Sequence, residues 1–294
     1  MTGGNGFIPA YMVETISVLN KYHGLNIKVG ALVRNEIKAK KRFNHLLEDN
    51  WLSFICQDVS IEIKIDTTIN YIIHAASQAS PRYYKADPVG TLLANTKGTY
   101  NVLEFARNNL QSIDGVLFFS SAEVYGNLNQ VVQYVSENDF GSLDCSELRA
   151  CYAESKRMGE TMCISWGKQY SVPCKIVRIF HTYGPGMDLN DGRVFACFVS
   201  SAAQGKDINM KSDGSAIRAF CNLSDTIHAI FKVLLCGHIG EAYNVGNENC
   251  EISIRDLALS VNQLSRNNIS KIIISNNDNN YISSTVNRIV SGYN

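Results

Sequence analysis

Runs of apolar, often β-branched residues alternate along the chain with segments whose apolar residues recur every three or four positions. The runs predict buried strands and the periodic segments predict amphipathic helices. The predicted strands are 27–33, 52–59, 69–77, 115–122 and 174–180. The predicted helices are 9–22, 88–109 and 150–170. Continuous apolar strands separated by helices are typical of a parallel sheet that helices cover on both faces.

A glycine-rich turn, TGGNGFI, opens the chain and leads into the first predicted helix. Gly3 and Gly6 allow a tight turn in which backbone N–H groups approach a pyrophosphate at a helix N-terminus. Such a turn between the first strand and helix indicates a doubly wound, Rossmann-type α/β fold. Only Met1 precedes the turn, so the sequence predicts that the first, central strand is missing. We therefore expect a late-assigned start or a fragment, unstable or poor in cofactor by itself.

The regular alternation loosens beyond about residue 181. Helices near 192–205 and 224–236 are separated by polar loops, which is typical of a smaller substrate-binding lobe. We predict an NAD(P)-binding domain over 1–180 and a nucleotide-sugar-binding lobe over 181–294, the two interleaved. The final residues, rich in Asn and Ser, end without an obvious closing element, which predicts a truncated C-terminus.

Composition narrows the classes of function. The 27 Lys and Arg residues balance 27 Asp and Glu residues, which argues against a nucleic-acid or anionic-membrane partner. No apolar run is long enough to cross a membrane and no leader-like segment is present, so we expect a cytoplasmic protein. The 9 cysteines include no C-x-x-C pair, which favours reduced, buried thiols over disulfides or a metal site.

A tyrosine and a lysine lie one helical turn apart in YAESK, as Tyr152 and Lys156. A free phenol has a pKa of about 10 and is a poor base at neutral pH. A nearby ammonium group favours the phenolate, so we expect Lys156 to lower the pKa of Tyr152. A predicted strand ends at Ser121, which can hydrogen-bond the phenol or a substrate hydroxyl, and Glu123 follows closely. These residues predict a site at the carboxyl edge of the sheet.

The order of these motifs resembles that of extended short-chain dehydrogenases/reductases of the nucleotide-sugar epimerase/dehydratase family. The resemblance spans about residues 2–250, with an echo in SSTVNRI (283–289). The matching stretches are TGGNGFI, IIHAAS, NTKGTYNVLEFA, SSAEVYG, YAESK, RIFHTYGPGM, DGRVFACFV and DGSAIRAFCNLSD. Within the family, ASPRYYKADPVGTLLANTKGT and YGPGMDLNDGRV resemble UDP-glucuronate decarboxylases more than simple C4 epimerases.

The resemblance implies NAD as the cofactor and assigns roles to individual residues. The residues implied in catalysis are Ser121, Glu123, Tyr152 and Lys156. Those implied in cofactor binding are Gly3, Gly6, Phe7, Ile8, Arg34, Asp58, Ala75, Ala76, Asn95, Tyr152 and Lys156. Those implied in binding the nucleotide sugar are His181, Arg193, Arg218 and Arg288, and a planar guanidinium suits its diphosphate. The resemblance further implies a homodimer, with helices near 91–108 and 150–168 pairing into a four-helix bundle.

The chain departs from the family pattern at several positions. The Asn usual in FNTYGP is His181, and the Arg usual after YGP is Gly186. The acidic residue that often ends the second strand is replaced by Arg34. An arginine at that place can favour a 2′-phosphate, which makes NADP an alternative cofactor.

Three outcomes share one first step, in which Tyr152 takes the proton of the sugar's C4 hydroxyl. A 4-ketouronic acid loses CO₂ readily, and UDP-glucuronate decarboxylation is the outcome that the resemblance favours. Dehydratases resemble this chain in Glu123 but place an Asp where Ala122 stands, which argues against 4,6-dehydration. C4 epimerisation stays open, and so does a non-catalytic nucleotide-binding protein.

Overall fold

The computed structural model describes residues 1–128, 134–265 and 271–274 and the backbone of 288–289. The strands are β1 (Val29–Val33), β2 (Leu52–Cys56), β3 (Tyr71–His74), β4 (Gly115–Ser121), β5 (Cys174–Ile179), β6 (His181–Tyr183), β7 (Ile208–Met210), β8 (Ile217–Asn222), β9 (Ala242–Val245), β10 (Glu251–Ser253), β11 (Ile272–Ile274) and β12 (Arg288–Ile289). The helices are α1 (Phe7–His23), α2 (Glu36–Arg42), α3 (Pro81–Ala86), α4 (Pro88–Asn95), α5 (Lys97–Asn108), α6 (Ala150–Tyr170), α7 (Val194–Ala203), α8 (Leu223–Cys236) and α9 (Ile254–Leu264).

The main sheet is parallel and has two parts. One part pairs β1 with β2, and the other has the order β3-β4-β5-β9. Thr2 lies between the parts and bridges Leu32 of β1 and His74 of β3 in parallel. Its N–H donates to the carbonyl of Ile73 at 2.9 Å, and the N–H of Leu32 donates to the carbonyl of Met1 at 2.9 Å. The first two residues therefore lie where the sequence places a central strand.

Helices cover both faces of this sheet, as the apolar strands require. Every residue of β4 is buried, because α5 and α6 pack on one face and α8 on the other. Helix α6 lies unusually close to β4, since a Cβ on Gly159 would collide with the ring of Phe118. This close approach positions the first turns of α6 beside the carboxyl end of β4. The doubly wound α/β fold predicted from the sequence is confirmed.

A second group of strands follows the main sheet in the chain. β8 pairs antiparallel with β10 and parallel with β6 and β12, and β7 pairs with β11. Helices α7 and α9 bury Phe198 and Leu257 against this group. Because α8 and β9 return to the main sheet, both groups draw on the residues beyond 180. The boundary at 180 stays a prediction.

Two details of the sequence analysis are wrong. The single helix predicted over 88–109 is interrupted, since α4 ends at Asn95 and α5 begins at Lys97. The interruption lets Gly98 approach Val59 so closely that a Cβ on the glycine would lie 2.7 Å from Cγ1. All the cysteines are free thiols, as predicted, but burial was predicted for all and four are exposed: Cys56, Cys145, Cys236 and Cys250.

Candidate active site

The glycine turn forms a backbone surface at the carboxyl edge of the sheet. Gly3 adopts a φ of 64°, and a Cβ there would lie 2.9 Å from the Cα of Ala76. The N–H of Gly6 donates to the carbonyl of Gly3 at 2.8 Å, and α1 begins at the next residue, Phe7, followed by Ile8. No acidic residue occupies the first turn of α1. The turn and the helix N-terminus therefore fit the pyrophosphate of a dinucleotide.

Thr2 ties this turn to β3 through its hydroxyl group. Its Oγ1 accepts hydrogen bonds from the backbone N–H groups of Ala75 and Ala76, both at 3.1 Å. The same oxygen lies 2.8 Å from Nδ1 of His74, whose Nε2 lies 3.0 Å from Oγ1 of Thr99. The single proton of the Thr99 hydroxyl is donated to the carbonyl of Asn95, so Nε2 of His74 must donate to Thr99. Nδ1 of His74 is then unprotonated and accepts from the hydroxyl of Thr2. Burial, together with the charge of Lys156, lowers the pKa of His74 to about 3, so the ring is neutral.

Asn95 continues this connection to α6, the helix that carries Tyr152. Its main-chain carbonyl accepts from Oγ1 of Thr99 at 2.5 Å, and its Nδ2 donates to Oγ of Ser155 at 2.9 Å. Ser155 in turn donates to the carbonyl of Tyr152 at 2.9 Å. Oδ1 of Asn95 is buried and has no hydrogen-bond partner among the described residues. This unpaired acceptor near α6 suits a ligand hydroxyl group.

Tyr152 and Ser121 meet as the sequence predicts, but the pKa of the phenol moves the other way. Tyr152 is 6 % exposed and stacks on Tyr84, with ring centroids 5.0 Å apart. Burial raises the pKa of Tyr152, while the hydrogen bond with Ser121 and the charges of Arg193 and Arg149 oppose that rise. The predicted lowering by Lys156 is wrong for the chain without ligands, because burial outweighs the charges around the phenol.

Lys156 is buried one turn further along α6. Its Nζ donates to the carbonyl of Phe119 at 2.7 Å and lies 5.8 Å from the ring centroid of Tyr152. Burial lowers the pKa of Lys156 to about 7, although the charge of Glu160 opposes this shift. An ammonium group that is desolvated in this way gains from any acceptor that a ligand brings to it.

Glu123 is held by an arginine that the sequence analysis did not select. Nη2 of Arg149 lies 2.6 Å from Oε1 of Glu123, with both side chains largely buried. The guanidinium also lies 5.8 Å from the ring centroid of Tyr84. Arg149 directly precedes α6, so the same helix start carries both the ion pair and Tyr152. Its position just ahead of YAESK was the signal available in the sequence.

Three arginines surround His181, the residue that replaces the family's Asn. Burial, together with the charges of Arg218, Arg193 and Arg149, lowers the pKa of His181 to about 3. Its Nε2 is buried and has no hydrogen-bond partner among the described residues. Arg218 is buried and donates from Nη1 to the carbonyl of Ile217 at 2.8 Å. The crevice beside Tyr152 therefore contains several guanidinium groups, two of them paired with carboxylates, Arg149 with Glu123 and Arg193 with Asp191.

The remaining predicted residues differ in how the structure places them. Nε of Arg193 forms an ion pair with Asp191 at 3.0 Å. The backbone of Arg288 lies in β12 beside Ile217, and its side chain lies outside the described part of the chain. At Gly186, Nη2 of Arg42 lies 2.8 Å from where a Cβ would stand, so a guanidinium from α2 reaches that place.

Asp58 and Arg34 lie at the far end of the crevice, after β2 and β1. Asp58 accepts hydrogen bonds from the N–H and Oγ of Ser60 at 2.8 and 2.7 Å. Burial raises the pKa of Asp58, but these hydrogen bonds and the charge of Arg34 outweigh it and lower the pKa overall. Both residues therefore lie on the side of the glycine turn where the adenosine half of a dinucleotide binds in this fold.

The fold and the site together define a short-chain dehydrogenase/reductase-type α/β enzyme with a dinucleotide crevice. Residues 1–246 match the model of the NAD dependent epimerase/dehydratase family, and the chain belongs to this family. It is thus an enzyme that acts on nucleotide sugars.

Known proteins support this family membership. The chain is 30 % identical to UDP-glucuronic acid decarboxylase 6 of Arabidopsis thaliana, over 94 % of this chain and 76 % of that protein. It is 34 % identical to UDP-glucuronic acid decarboxylase 1 of Xenopus tropicalis, over 90 % of this chain and 59 % of that protein. The crystal structure of UDP-glucuronic acid 4-epimerase from Bacillus cereus with UDP-glucuronic acid and NAD superposes with a TM-score of 0.80 at 20 % identity, covering 99 % of this chain and 88 % of that one.

Two further observations concern the described residues alone. No helix among them is long and apolar enough to cross a membrane. Within the same part of the chain, no three His, Cys, Asp or Glu side chains gather as a metal-binding group.

Proposed function

We propose that the chain decarboxylates a UDP-linked uronic acid, UDP-glucuronate, through transient oxidation at C4. The observation that carries this proposal is the buried Tyr152 phenol, hydrogen-bonded to Ser121 beside a crevice that holds the guanidinium groups of Arg149, Arg193 and Arg218, the first two paired with Glu123 and Asp191. Such a crevice favours a substrate with both a diphosphate and a carboxylate. The decarboxylase relatives at about one-third identity support the same reaction.

Each residue has a definite task in this reaction. Tyr152 accepts the proton of the C4 hydroxyl in its phenolate form and so becomes the phenol, and Ser121 orients that hydroxyl through a hydrogen bond. Gly3, Gly6 and Asn95 hold a nicotinamide dinucleotide. When bound, the dinucleotide supplies a hydride acceptor for C4 and later returns the hydride.

Charged side chains position the substrate and assist the phenol. Lys156 would donate a hydrogen bond from its desolvated ammonium group to the cofactor ribose beside the phenol. Arg218 and Arg193 hold the diphosphate, and His181 offers its unpaired Nε2 to the sugar. The side chain of Arg288 is a further diphosphate ligand predicted from the sequence.

Decarboxylation fits the residues beside Ser121 better than dehydration does. Loss of CO₂ from a 4-ketouronic acid leaves an electron pair at C5, and a proton completes the step. Loss of water from C6 needs a proton donor near that carbon, and the methyl group of Ala122 provides none. Glu123, the residue that resembles the dehydratase base, has one carboxylate oxygen 2.6 Å from the guanidinium of Arg149.

The test is incubation of the purified protein with UDP-glucuronate and NAD⁺ or NADP⁺, followed by mass spectrometry of the product. We expect the mass of CO₂ to be lost. Loss of water would indicate dehydration. An unchanged mass with a new configuration at C4 would indicate epimerisation, and unchanged substrate would indicate a non-catalytic protein. Each of these three results contradicts the proposal.

The phenol is tested by removing a single oxygen atom. Tyr152→Phe should lower kcat by about 10²- to 10⁴-fold, because the proton acceptor is lost. Tyr84→Phe is the matched control, since its hydroxyl donates to the carbonyl of Ala79 at 3.0 Å and plays no part in the reaction. Near-normal turnover by Tyr152→Phe would exclude the assigned role.

We further propose that the chain forms a homodimer through α4, α5 and α6. Apolar side chains on these helices are unusually exposed, including Val89 at 62 %, Tyr100 at 46 % and Met158 at 51 %. Apolar residues gathered on neighbouring helices mark protein–protein interfaces. Met158→Asp should convert a dimer to a monomer in analytical ultracentrifugation, whereas Ile37→Asp on α2 should not. A monomeric wild-type protein would contradict this proposal.

A further inference from the structure

Arg34 lies where a side chain of a dinucleotide-binding fold contacts the adenosine ribose. It directly follows β1, and β1 is bonded to the glycine turn, because the N–H of Gly4 donates to the carbonyl of Leu32 at 3.3 Å. In doubly wound folds an acidic side chain near this place accepts from the ribose 2′-hydroxyl, whereas an arginine accommodates a 2′-phosphate. Here the strand ends in a guanidinium and not in a carboxylate.

The charge of Arg34 is not cancelled by a direct ion pair within the described ranges. The charge of Arg34 lowers the pKa of two carboxylates, those of Asp58 and Asp87. Each is engaged by other donors: Ser60 bonds to Asp58, and Gln78 and the N–H of Gly90 bond to Asp87 at 2.9 and 3.0 Å. The Arg34 side chain is also exposed, so it is accessible to a ligand anion.

Charges on the following helix favour an anion further. Helix α2 carries Lys38, Lys40, Lys41 and Arg42 against a single acidic residue, Glu36. That carboxylate forms an ion pair with Lys40 at 2.7 Å, which offsets its charge. The segment after β1 is therefore positively charged on balance, next to the turn that fits the pyrophosphate.

We propose that the guanidinium of Arg34 binds the 2′-phosphate of NADP, so that this chain binds NADP more tightly than NAD. A planar guanidinium can make two parallel hydrogen bonds to one phosphate. In NAD the same guanidinium faces a ribose hydroxyl, a weaker acceptor than a phosphate dianion. The proposal rests on the dinucleotide site of the proposed function and adds the chemical form of the cofactor.

The experiment compares dissociation constants of NADP⁺ and NAD⁺ by isothermal titration calorimetry, without substrate. We expect the wild-type protein to bind NADP⁺ about tenfold or more tightly than NAD⁺. Arg34→Asp should reverse the preference, and Arg34→Lys should keep part of it. The matched control is Lys28→Asp, an equal charge change at the exposed amino end of the same strand, and it should leave the ratio unchanged.

Every other result contradicts either the 2′-phosphate site or the dinucleotide site. Equal or tighter binding of NAD⁺ by the wild type, or an unchanged ratio in Arg34→Asp, overturns the 2′-phosphate site while the dinucleotide site stands. Binding of neither dinucleotide overturns both. Because Arg34 is exposed, a cooperative thermal transition of each variant verifies that folding is not the cause.

Discussion

Two buried polar networks flank helix α6, one built from neutral groups and the other around a charge pair. The neutral network consists of Thr2, His74, Thr99, Asn95 and Ser155. The charged network consists of Ser120, Glu160, Arg178, Tyr125 and Asn244. The first connects the glycine turn to α6, and the second connects α6 to β4, β5 and β9.

In the charged network, Arg178 and Glu160 form an ion pair through two separate nitrogen–oxygen contacts. Nη2 of Arg178 lies 2.7 Å from Oε2 of Glu160, and Nε lies 3.0 Å from Oε1. Ser120 donates to the same carboxylate, and Tyr125 donates to Oδ1 of Asn244 at 2.6 Å. The two charged side chains are only 14 % and 13 % exposed. Removing one charge therefore leaves the other poorly solvated, whereas a neutral network that loses one member loses about one hydrogen bond.

The largest effect is expected from breaking the charge pair. Glu160→Gln should lower the free energy of unfolding by about 3–5 kcal/mol, because Arg178 is left buried without a counter-charge. Urea denaturation measures the loss. Adding Arg178→Met to this variant should recover part of it. Glu36→Gln removes the exposed partner of Lys40 and should change the value by less than about 1 kcal/mol. An equal loss in Glu160→Gln and Glu36→Gln would remove the distinction between the networks.

A smaller effect is expected from pH, and it belongs to the neutral network. His74 has a pKa of about 3 in the folded chain, against about 6.5 in an unfolded one. Between these two pKa values the unfolded chain therefore binds a proton at His74 that the folded chain does not bind. Stability should fall as the pH drops below 6.5, by about 1.4 kcal/mol per pH unit for this group.

The fall of stability with decreasing pH, here called the acid limb, is measured as the free energy of unfolding between pH 6.5 and pH 4. His74→Gln should flatten the limb by the contribution of one proton, because its amide does not titrate. The remaining slope includes His181, whose pKa burial also lowers to about 3. A limb that is equally steep in His74→Gln would show that His74 is not held neutral by the fold.

The smallest effect is expected from a single hydroxyl in the neutral network. Thr99→Val removes the acceptor for Nε2 of His74 and the donor to Asn95, and should destabilise the chain by about 1–3 kcal/mol. Thr99→Ser restores the hydroxyl and should recover most of the loss in the same denaturation experiment. A loss in Thr99→Val as large as that in Glu160→Gln would show that neutrality does not make this network tolerant.

The sequence predicts what depends on local pattern. Apolar runs located five of the six strands of the main sheet, all but β9, and an amphipathic pattern located the helix that carries Tyr152 and Lys156 one turn apart. Ser121 was predicted beside the phenol because parallel strands end at one edge, and its hydrogen bond with Tyr152 agrees with that placement.

Properties that depend on distant contacts were not predicted. Arg149 was missed because its partner Glu123 is 26 residues away. The direction of the Tyr152 pKa was wrong because it depends on burial against Tyr84, which no spacing reveals. The break after Asn95 was not predicted either, and it accompanies a close contact between Gly98 and Val59, which lie in separate elements.

The glycine turn has a consequence for the order in which the chain folds. The turn itself is local in sequence, but the residues that contact it are distant. The hydroxyl of Thr2 contacts His74 and Ala76, which are 72 and 74 residues away. Closing so long a loop requires the intervening strands and helices to form first or together with it, and such non-local contacts form slowly. The shape that receives a pyrophosphate is thus a late product of folding, and pulse-labelled refolding should find the Ala76 amide protected after those of β4.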